Sequence, residues 1–202
     1  MVKNEVYPLF STPVLVSYSD EPPFTKVLDY CKTLEYAPNK GSNYISLVDN
    51  ILDNPVFSEI KVKILQAIDE YTKGVMKWER AEFYITQSWV NVNPKGTEHH
   101  AHYHYNSLLS GVYYLQTARE DHIKFINDPK PVLELEKSEY NIWNSNTYLV
   151  PVKDNSITIF PSSTMHSVDA HTEEDYERIS IAFNMFVRGT LGSRESMTYL
   201  EL

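Results

Sequence analysis

The sequence predicts a mainly β domain, built as an antiparallel barrel or sandwich with helices covering one face. A length of 202 residues is typical of one compact unit, and at that size folding buries roughly 70% of the chain's surface. Hydrophobic residues make up 42% of the chain and aromatic residues 13%, which excludes intrinsic disorder. From about residue 82 onward, apolar and polar residues alternate in short segments, which is the pattern of half-buried strands.

The first 80 residues carry the helical part of the pattern. Residues 24–35 place apolar side chains at helical spacing, and residues 55–76 do so over a longer stretch. Asn54 stands where a helix cap is expected, and Pro55 occupies the first helical position. We therefore expect a single domain over residues 1–202, with a helical support region at 1–80 and the β core at 81–190.

The β core is predicted from eight segments rich in β-branched and aromatic residues. Turn residues separate the segments, as at 93–96 and 153–155. A series of short strands of this kind favours an antiparallel barrel or sandwich. The predicted strands are EFYITQSWVNVN (82–93), HAHYHYN (100–106), SGVYYLQ (110–116), HIKFIN (122–127), PVLELE (131–136), TYLVPV (147–152), SITIFP (156–161) and ERISIAFNMFV (177–187).

Charge and cysteine content narrow the class of partner. The formal net charge of −9 disfavours nucleic acids and anionic membranes as partners, so any small anion needs specific local cations. The single cysteine, Cys31, excludes a disulfide within one chain and is expected to be a packed thiol without chemical function. The N-terminal sequence lacks the pattern of a secretory signal, and no segment is long and apolar enough for a membrane span. A cytoplasmic location is expected.

The strongest chemical signal is the group of histidines in residues 98–104. Four of the chain's seven histidines fall there within six positions. On a strand, His100, His102 and His104 share one face, and residues two positions apart lie roughly 6.5 Å apart. Two imidazoles at that spacing can hold one metal ion, each at about 2.1 Å. The first two ligands are therefore either His100 with His102 or His102 with His104.

Two later segments are candidates to complete the site. His166 follows the strand-like run at 156–162 and is placed to supply a third ligand, unless it is an ordinary polar loop residue. Twelve residues later, Arg178 and Ser180 share one face of the last strand, and that face meets the cavity if Ile179 packs against the helices. A buried guanidinium needs a carboxylate, which comes either from a ligand or from the protein itself. The protein's own candidates just upstream are Glu173, Glu174 and Asp175.

Together these residues resemble the Fe(II)/2-oxoglutarate-dependent oxygenase superfamily, whose double-stranded β-helix carries the pattern His-x-Asp…His…Arg-x-Ser. The resemblance extends to a branch of uncharacterised bacterial and phage members, similar to prolyl hydroxylases, in which His-x-His replaces His-x-Asp. It covers nearly the whole chain, including the N-terminal segment 8–13 and the two helices. Its motifs in this sequence are QSWVNV (87–92), LSGVYYL (109–115), IFPS (159–162), HSV (166–168) and RISIAFN (178–184).

The resemblance implies both a fold and a chemistry. The fold is a jelly-roll, cupin-like barrel covered by two or more N-terminal helices, with His102, His104 and His166 as catalytic metal ligands. In the superfamily, Fe(II) and 2-oxoglutarate activate dioxygen to hydroxylate an unactivated C–H bond, with succinate and CO2 as co-products and ascorbate as an accessory reductant. A peptidyl residue or a small molecule is the expected substrate. A homodimer is compatible with such folds, and a phage-encoded member would act in the host cytoplasm.

The same resemblance assigns roles around the metal ligands. Arg178 is expected to bind the second carboxylate of 2-oxoglutarate with Ser180 beside it, and Tyr114 is expected to donate its phenol to that carboxylate. For Tyr114, simple core packing is the alternative. The further residues expected to orient the keto acid or to line the pocket are Asn91, Asn93, Trp89 and Trp143.

One position departs from the usual superfamily pattern. His104 stands where most members have a carboxylate, and a neutral imidazole leaves the metal site more positive by about one unit and also suits zinc. Either His104 completes a three-histidine site, or a carboxylate such as Asp169 does. Two other functions therefore stay open. One is a cupin-like three-histidine metalloenzyme that does not use 2-oxoglutarate, which predicts an internally paired Arg178. The other is a non-catalytic β-sandwich binding module.

Overall fold

The computed structural model of the protein describes all residues except 1, 2, 79, 128–132, 134 and 175. Within the described residues the chain forms two α-helices, α1 at Thr25–Cys31 and α2 at Ser58–Asp69. Across the same residues, the helices are all too short or too polar to cross a bilayer. Cys31 is buried at the end of α1, and burial raises the pKa of its thiol to about 12.

The longer predicted helix is one continuous helical segment with three geometries. It begins with a 3-10 turn at Pro55–Phe57, continues as α2, and ends in a π-helical stretch at Glu70–Val75. The side chain of Asn54 accepts the Val56 N–H at 3.0 Å, which confirms the predicted cap. The first predicted helix, at residues 24–35, is shorter than expected and ends at Cys31.

The strands are short, apart from two long ones in the second half of the chain. In chain order they are β1 Leu15–Ser17, β2 Tyr36–Pro38, β3 Tyr44–Ser46, β4 Glu82–Pro94, β5 His99–His102, β6 Leu109–Gln116, β7 His122–Ile126, β8 Thr147–Pro151, β9 Ile157–Pro161, β10 Met165–Val168, β11 Glu177–Arg188, β12 Thr190–Leu191 and β13 Leu200–Glu201.

These strands form two antiparallel sheets and a small C-terminal ribbon. The larger sheet has seven strands in the order β1-β9-β6-β11-β4-β3-β2, and the smaller has four in the order β5-β10-β7-β8. The ribbon consists of β12 and β13. From β4 to β11 the strands alternate between the two sheets, apart from β7 and β8, which are neighbours in the smaller sheet, and this is the arrangement of a double-stranded β-helix. The support region at 1–80 supplies β1, β2 and β3 to the larger sheet in addition to the helices.

The alternation of side chains along β11 separates two apolar layers. Ile179, Ile181 and Phe183 belong to a buried cluster with residues of the two helices, so this face of the larger sheet is the one that the helices cover. A second, smaller cluster around Tyr114 and Phe160 fills the space on the other side, towards the smaller sheet. The even-numbered residues of β11 therefore face the interior of the barrel.

Two of the predicted strands differ from the structure. The predicted strand at 100–106 is β5 at His99–His102 and ends before His104, because the chain turns at residues 105–106, where Asn106 has a φ of 55°. The predicted strand at 131–136 lies largely outside the described residues, and its described members Leu133, Leu135 and Glu136 are not in a strand. The sequence pattern does not predict the short strands β1, β2, β3, β10, β12 and β13, because two to four residues are too few to show a period of two.

Gly111 marks the tightest packing between β6 and its neighbours. A Cβ atom at this position would lie 2.5 Å from Cε2 of Phe183 and 2.8 Å from the carbonyl oxygen of Thr158. We expect Gly111→Ala to lower the free energy of unfolding by about 1–3 kcal/mol, because overpacking forces neighbouring atoms to shift. Urea denaturation measures this loss. The control is Gly96→Ala, where a Cβ meets no atom and the loss is limited to the positive φ. Equal losses in the two variants would contradict the packing argument.

Candidate active site

Two adjacent strands of the smaller sheet bring three histidines together. His102 on β5 lies directly opposite His166 on β10, and their ring centroids are 4.3 Å apart. His104 lies just beyond the end of β5, with its Nε2 atom 3.2 Å from Nε2 of His166. One ligand atom from each of these three residues lies within 4.8 Å of the other two. Of the two histidine pairs that the sequence leaves open, the structure therefore joins His102 and His104 to His166.

Backbone carbonyls orient two of the three rings. Nδ1 of His102 lies 2.8 Å from the carbonyl oxygen of His100, and Nδ1 of His166 lies 3.0 Å from that of Thr164. A carbonyl accepts hydrogen bonds only, so each Nδ1 carries the proton and each Nε2 keeps a free lone pair. Metal-binding histidines use this arrangement, in which a second partner fixes the tautomer and the ring orientation.

The three imidazoles are held in their neutral form. Burial lowers the pKa of His166 to about 2 and the pKa of His104 to about 4, and it also lowers the pKa of His102. The positive charges that the neighbouring histidines would carry add to this effect. Aromatic rings cause part of the burial, since Phe160 lies 4.7 Å from the His166 ring and Trp89 lies 5.9 Å from the His104 ring. Neutral rings with free Nε2 lone pairs are ready to bind a metal ion at pH 7.

The donor set fits a divalent transition metal. Three neutral imidazole nitrogens on one side suit Fe(II), as they suit other metals of the first row, and they leave positions for a chelating keto acid and for dioxygen. His99 and His100 are not part of this set. Nε2 of His99 lies 3.2 Å from the Asn39 amide nitrogen instead. The carboxylate considered as an alternative ligand, Asp169, accepts hydrogen bonds from Lys124 at 2.6 and 2.9 Å instead.

Arg178 faces the barrel interior, as its place on β11 predicts, and is bound by a carboxylate of the protein. Its Nε and Nη2 atoms donate to the two oxygens of Asp121 at 2.5 and 2.6 Å. Its Nη1 atom donates to the carbonyl oxygen of Asp169 at 3.1 Å. Both side chains are buried, with 6% of Arg178 and 1% of Asp121 exposed. The partner is thus neither Glu173 nor Glu174, and Asp175 lies outside the described residues.

This pairing bears on two of the functions left open by the sequence. Internal pairing of Arg178 is what the cupin-like alternative predicts, and the structure contains it. A guanidinium has five N–H donors, however, and the described residues use three of them. Two N–H groups remain available for a second carboxylate, so the assignment of Arg178 to 2-oxoglutarate stays a prediction.

Beside Arg178, two buried hydroxyl groups stand without a partner. The phenol of Tyr114 and the hydroxyl of Thr158 lie close to each other, and neither forms a hydrogen bond of good geometry within the described part of the chain. Burial raises the pKa of Tyr114, the nearby Thr158 hydroxyl and the Arg178 charge oppose that rise, and the Asp121 charge adds to it. Tyr114 therefore lies close to Thr158 and to the ion pair. Buried hydroxyls without partners are costly, which indicates a place where a polar ligand completes them.

The remaining predicted residues share this inner face of the larger sheet. Ser180 lies opposite Asn91 on one side and Tyr114 on the other. The Asn91 side-chain oxygen accepts the Trp89 indole N–H at 3.2 Å, so Asn91 positions the ring that borders His104. Asn93 is the β4 residue opposite Arg178, and its buried amide nitrogen has no partner among the described residues. Trp143 is 54% exposed, so of the two tryptophans only Trp89 lies against the histidines.

Sequence reasoning missed three residues of this site. Asp121 lies in the connection between β6 and β7, 57 positions from Arg178, and no local pattern marks it as an arginine partner. The sequence around Thr158 predicts only a threonine within a strand. Asn184 is the last residue of the RISIAFN motif (178–184). Its side chain forms a hydrogen bond that raises the pKa of His104, although burial lowers that pKa by more. The Ser110 hydroxyl donates to the Asn184 side-chain oxygen at 3.0 Å and so holds it in place.

An open groove of about 1440 Å³ is lined by sequence neighbours of the metal-ligand histidines, although His102, His104 and His166 themselves do not line it. Tyr103, between His102 and His104, forms part of its wall, and so does Met165, which precedes His166. Every described residue that lines it is uncharged, although 22% of the whole chain is charged. Aromatic rings and asparagine amides make up much of the surface, including Phe10, Tyr140, Tyr148, Asn127, Asn141 and Asn146.

One family model matches the part of the chain that carries this site. The family model described as "Putative 2OG-Fe(II) oxygenase" matches residues 87–184, which include all three histidines and Arg178. No curated protein matches the chain. Among solved structures, a prolyl-4-hydroxylase from Pseudomonas putida is 13% identical, with a TM-score of 0.58 over 87% of this chain and 94% of that one.

Two further solved structures extend the likeness in fold. HygX from Streptomyces hygroscopicus, solved with nickel, 2-oxoglutarate and hygromycin B, is 13% identical with a TM-score of 0.57 over 86% of this chain and 82% of that one. The epimerase SnoN from nogalamycin biosynthesis is 14% identical with a TM-score of 0.61 over 87% and 78% of the two chains. Residues 87–184, which carry the three histidines and Arg178, therefore match a 2OG-Fe(II) oxygenase family model, and the whole fold is similar to that of these solved structures.

Proposed function

We propose that this protein is an Fe(II)- and 2-oxoglutarate-dependent oxygenase that hydroxylates an unactivated C–H bond of its substrate. The observation that carries the proposal is the convergence of three neutral imidazoles, two of them with Nδ1 bonded to a backbone carbonyl, which leaves Nε2 unprotonated. His102, His104 and His166 are the residues that would hold the iron. When bound, Fe(II) supplies the activation of dioxygen, one atom of which enters the new hydroxyl group while the other enters succinate as 2-oxoglutarate loses CO2.

The chain's own residues would bind and orient the keto acid. The two N–H groups of Arg178 that remain after its pairing with Asp121 are suited to the second carboxylate of 2-oxoglutarate. The phenol of Tyr114 and the hydroxyl of Thr158 lack partners and are suited to donate to the same carboxylate. Ser180, opposite Tyr114, and Asn91, opposite Ser180, border this place.

Aromatic and aliphatic side chains would keep water away from the reacting groups. Phe125 and Phe160 pack edge to face at 5.0 Å and, with Tyr114, Ile123 and Val152, form the inner apolar cluster of the barrel. Phe160 also contacts the His166 ring. A dry cavity strengthens the electrostatic attraction between the keto acid and its partners and limits side reactions.

The groove that Tyr103 and Met165 border is the proposed path of the substrate. HygX is solved with hygromycin B, and a Trichoplax adhaerens prolyl hydroxylase with a peptide fragment, so neighbours in fold bind small molecules and peptides. In this chain, the uncharged and aromatic lining favours a substrate that presents neutral groups, either a peptidyl residue or a small molecule. The overall charge of −9 further disfavours a nucleic acid.

One observation favours a second candidate, a three-histidine metalloenzyme that does not use 2-oxoglutarate. The Arg178–Asp121 pair already satisfies the arginine charge within the protein. This candidate predicts that metal binds but that the keto acid adds nothing.

Thermal unfolding separates the two candidates. Under anaerobic conditions, Mn(II) alone should raise the melting temperature, and Mn(II) with 2-oxoglutarate should raise it further. Ligands that bind only the folded state stabilise it by about 2.7 kcal/mol at 100 times their Kd. The keto acid without metal should have little effect, because its chelating end then lacks a partner. The control ligand is glutarate, which has both carboxylates but no keto group. An equal rise with 2-oxoglutarate and with glutarate would contradict the proposal.

A further inference from the structure

The Arg178–Asp121 pair is built so that its carboxylate does not move. Besides the two hydrogen bonds from Arg178, Asp121 accepts the backbone N–H of His122 at 2.8 Å and that of Ala118 at 3.2 Å. The Asp121 carbonyl oxygen accepts the Val152 N–H at 2.9 Å, which fixes the backbone as well. A carboxylate with four donors and 1% exposure leaves this position only by losing all four hydrogen bonds.

Because Asp121 is fixed, it also fixes the direction of the guanidinium. The two hydrogen bonds run from Nε and Nη2, which form one edge of the planar group, and a bidentate pair of this kind sets orientation as well as distance. The Asp169 carbonyl holds Nη1 in addition. The N–H groups left over belong to Nη1 and Nη2, at the outer end of the side chain.

The charges of the site also show that Asp121 and the keto acid can both bind Arg178 at the same time. Within the ion pair, the charges of Arg178 and Asp121 cancel. A divalent metal then brings a charge of +2, which a dianionic keto diacid balances. The second carboxylate of the keto acid meets an ion pair without net charge. It is bound by two N–H groups of fixed direction and by the hydroxyls of Tyr114 and Thr158. The position of these donors, rather than the net charge of the site, therefore decides which keto acid binds.

We propose that Asp121 is the positioning residue of the co-substrate site: by holding one edge of Arg178, it sets how far from the histidines a second carboxylate binds, and it thereby selects the length of the keto diacid. The inference rests on the proposed use of 2-oxoglutarate.

The test moves the carboxylate while keeping its charge. Asp121→Glu adds one methylene group and should displace the guanidinium towards the ligand. Calorimetric titration with Mn(II) present should show 2-oxoglutarate binding weakened by about tenfold or more, because misplacement by about 1 Å costs that much in well-oriented sites. The preference should shift towards the shorter oxaloacetate and away from the longer 2-oxoadipate. Mn(II) affinity should not change.

The matched control is Asp154→Glu. Asp154 accepts hydrogen bonds from the backbone and side chain of Thr117 at 2.7 and 2.8 Å, in the same region but away from Arg178. This variant should keep the wild-type order of keto acids. A general loss of packing would weaken all three ligands in parallel, so the change in order is the readout that a purely structural role does not produce.

A second variant tests the proposal if the Asp121→Glu protein does not fold. Asp121→Asn is close in shape but removes the charge that neutralises Arg178, so small anions should compete for the guanidinium, and chloride should weaken 2-oxoglutarate binding several-fold more than in the wild type. Wild-type protein that fails to bind 2-oxoglutarate with Mn(II) would overturn the proposed function itself. Wild-type protein that binds it, together with Asp121 variants of unchanged ligand order and chloride response, would overturn only the positioning role.

Discussion

Replacing His102 with alanine is expected to abolish metal binding at pH 7 while the protein remains folded. The residue is one of three nitrogen donors, and His104 and His166 alone cannot enclose a metal on one face. Loss of a residue that merely orients a ligand costs about 10–100-fold in metal affinity, so loss of a ligand should exceed about 100-fold. Calorimetric titration with Mn(II) or Ni(II) measures the change, and circular dichroism checks the fold.

The neighbouring His100 provides the matched control. It lies two residues before His102, and on sequence grounds it is an equally good partner for it, yet the structure leaves it outside the cluster. His100→Ala keeps the carbonyl group that orients the His102 ring, since that group belongs to the backbone. It should therefore retain metal affinity close to that of the wild type. Strong loss of metal affinity in both variants would show that the other pair, His100 with His102, binds the metal.

The three histidines could be predicted because each of them stands in a short sequence pattern that is typical of a metal ligand. A His-x-His spacing and a distant histidine on a strand restrict the ligand pairs to two, and strand geometry alone does not choose between them. The choice depends on the end of β5, where the chain turns after His102 and brings His104 towards His166. That turn is set by hydrogen bonds such as the one from the His104 N–H to the Ser162 carbonyl at 3.1 Å, which link segments far apart in sequence.

The direction of the Arg178 side chain could be predicted from the sequence, but its partner could not. The alternation along β11 predicts correctly that Ile179 and Ile181 pack against the helices and that Arg178 faces inward. The need for a carboxylate follows from burial, but the choice of Asp121 over the nearer Glu173 and Glu174 does not. It depends on how the β6–β7 connection folds back over the end of β11, which is a tertiary contact without a local signature.

Among the residues that the structure describes, the site of this protein carries one buried carboxylate, and it lies at the arginine rather than among the histidines. His104 stands where most members of the superfamily have a carboxylate, and Asp121 pairs with Arg178. The negative charge of Asp121 is therefore used to hold the guanidinium.

The second large effect is expected from Arg178→Met, which removes the charge but keeps much of the side-chain volume. Asp121 is then a buried carboxylate with backbone donors only, and breaking a buried ion pair by removing one partner costs about 3–5 kcal/mol of stability. The keto acid loses its charged partner in the same step, so its affinity should fall by more than about 100-fold, since a charge-assisted bidentate contact is worth several kcal/mol once its surroundings are dry. Mn(II) binding should survive, because none of the three histidines contacts Arg178 directly in the hydrogen-bond network of the described residues.

A double variant separates the two consequences. Arg178→Met combined with Asp121→Asn removes both charges, and replacing both partners of a buried pair is far less costly than removing one. Urea denaturation should therefore show most of the lost stability restored, whereas calorimetry should show 2-oxoglutarate binding still absent. If the double variant recovers stability and also binds 2-oxoglutarate with wild-type affinity, Arg178 is a structural residue, and the keto acid, where it binds at all, relies on Tyr114 and Thr158.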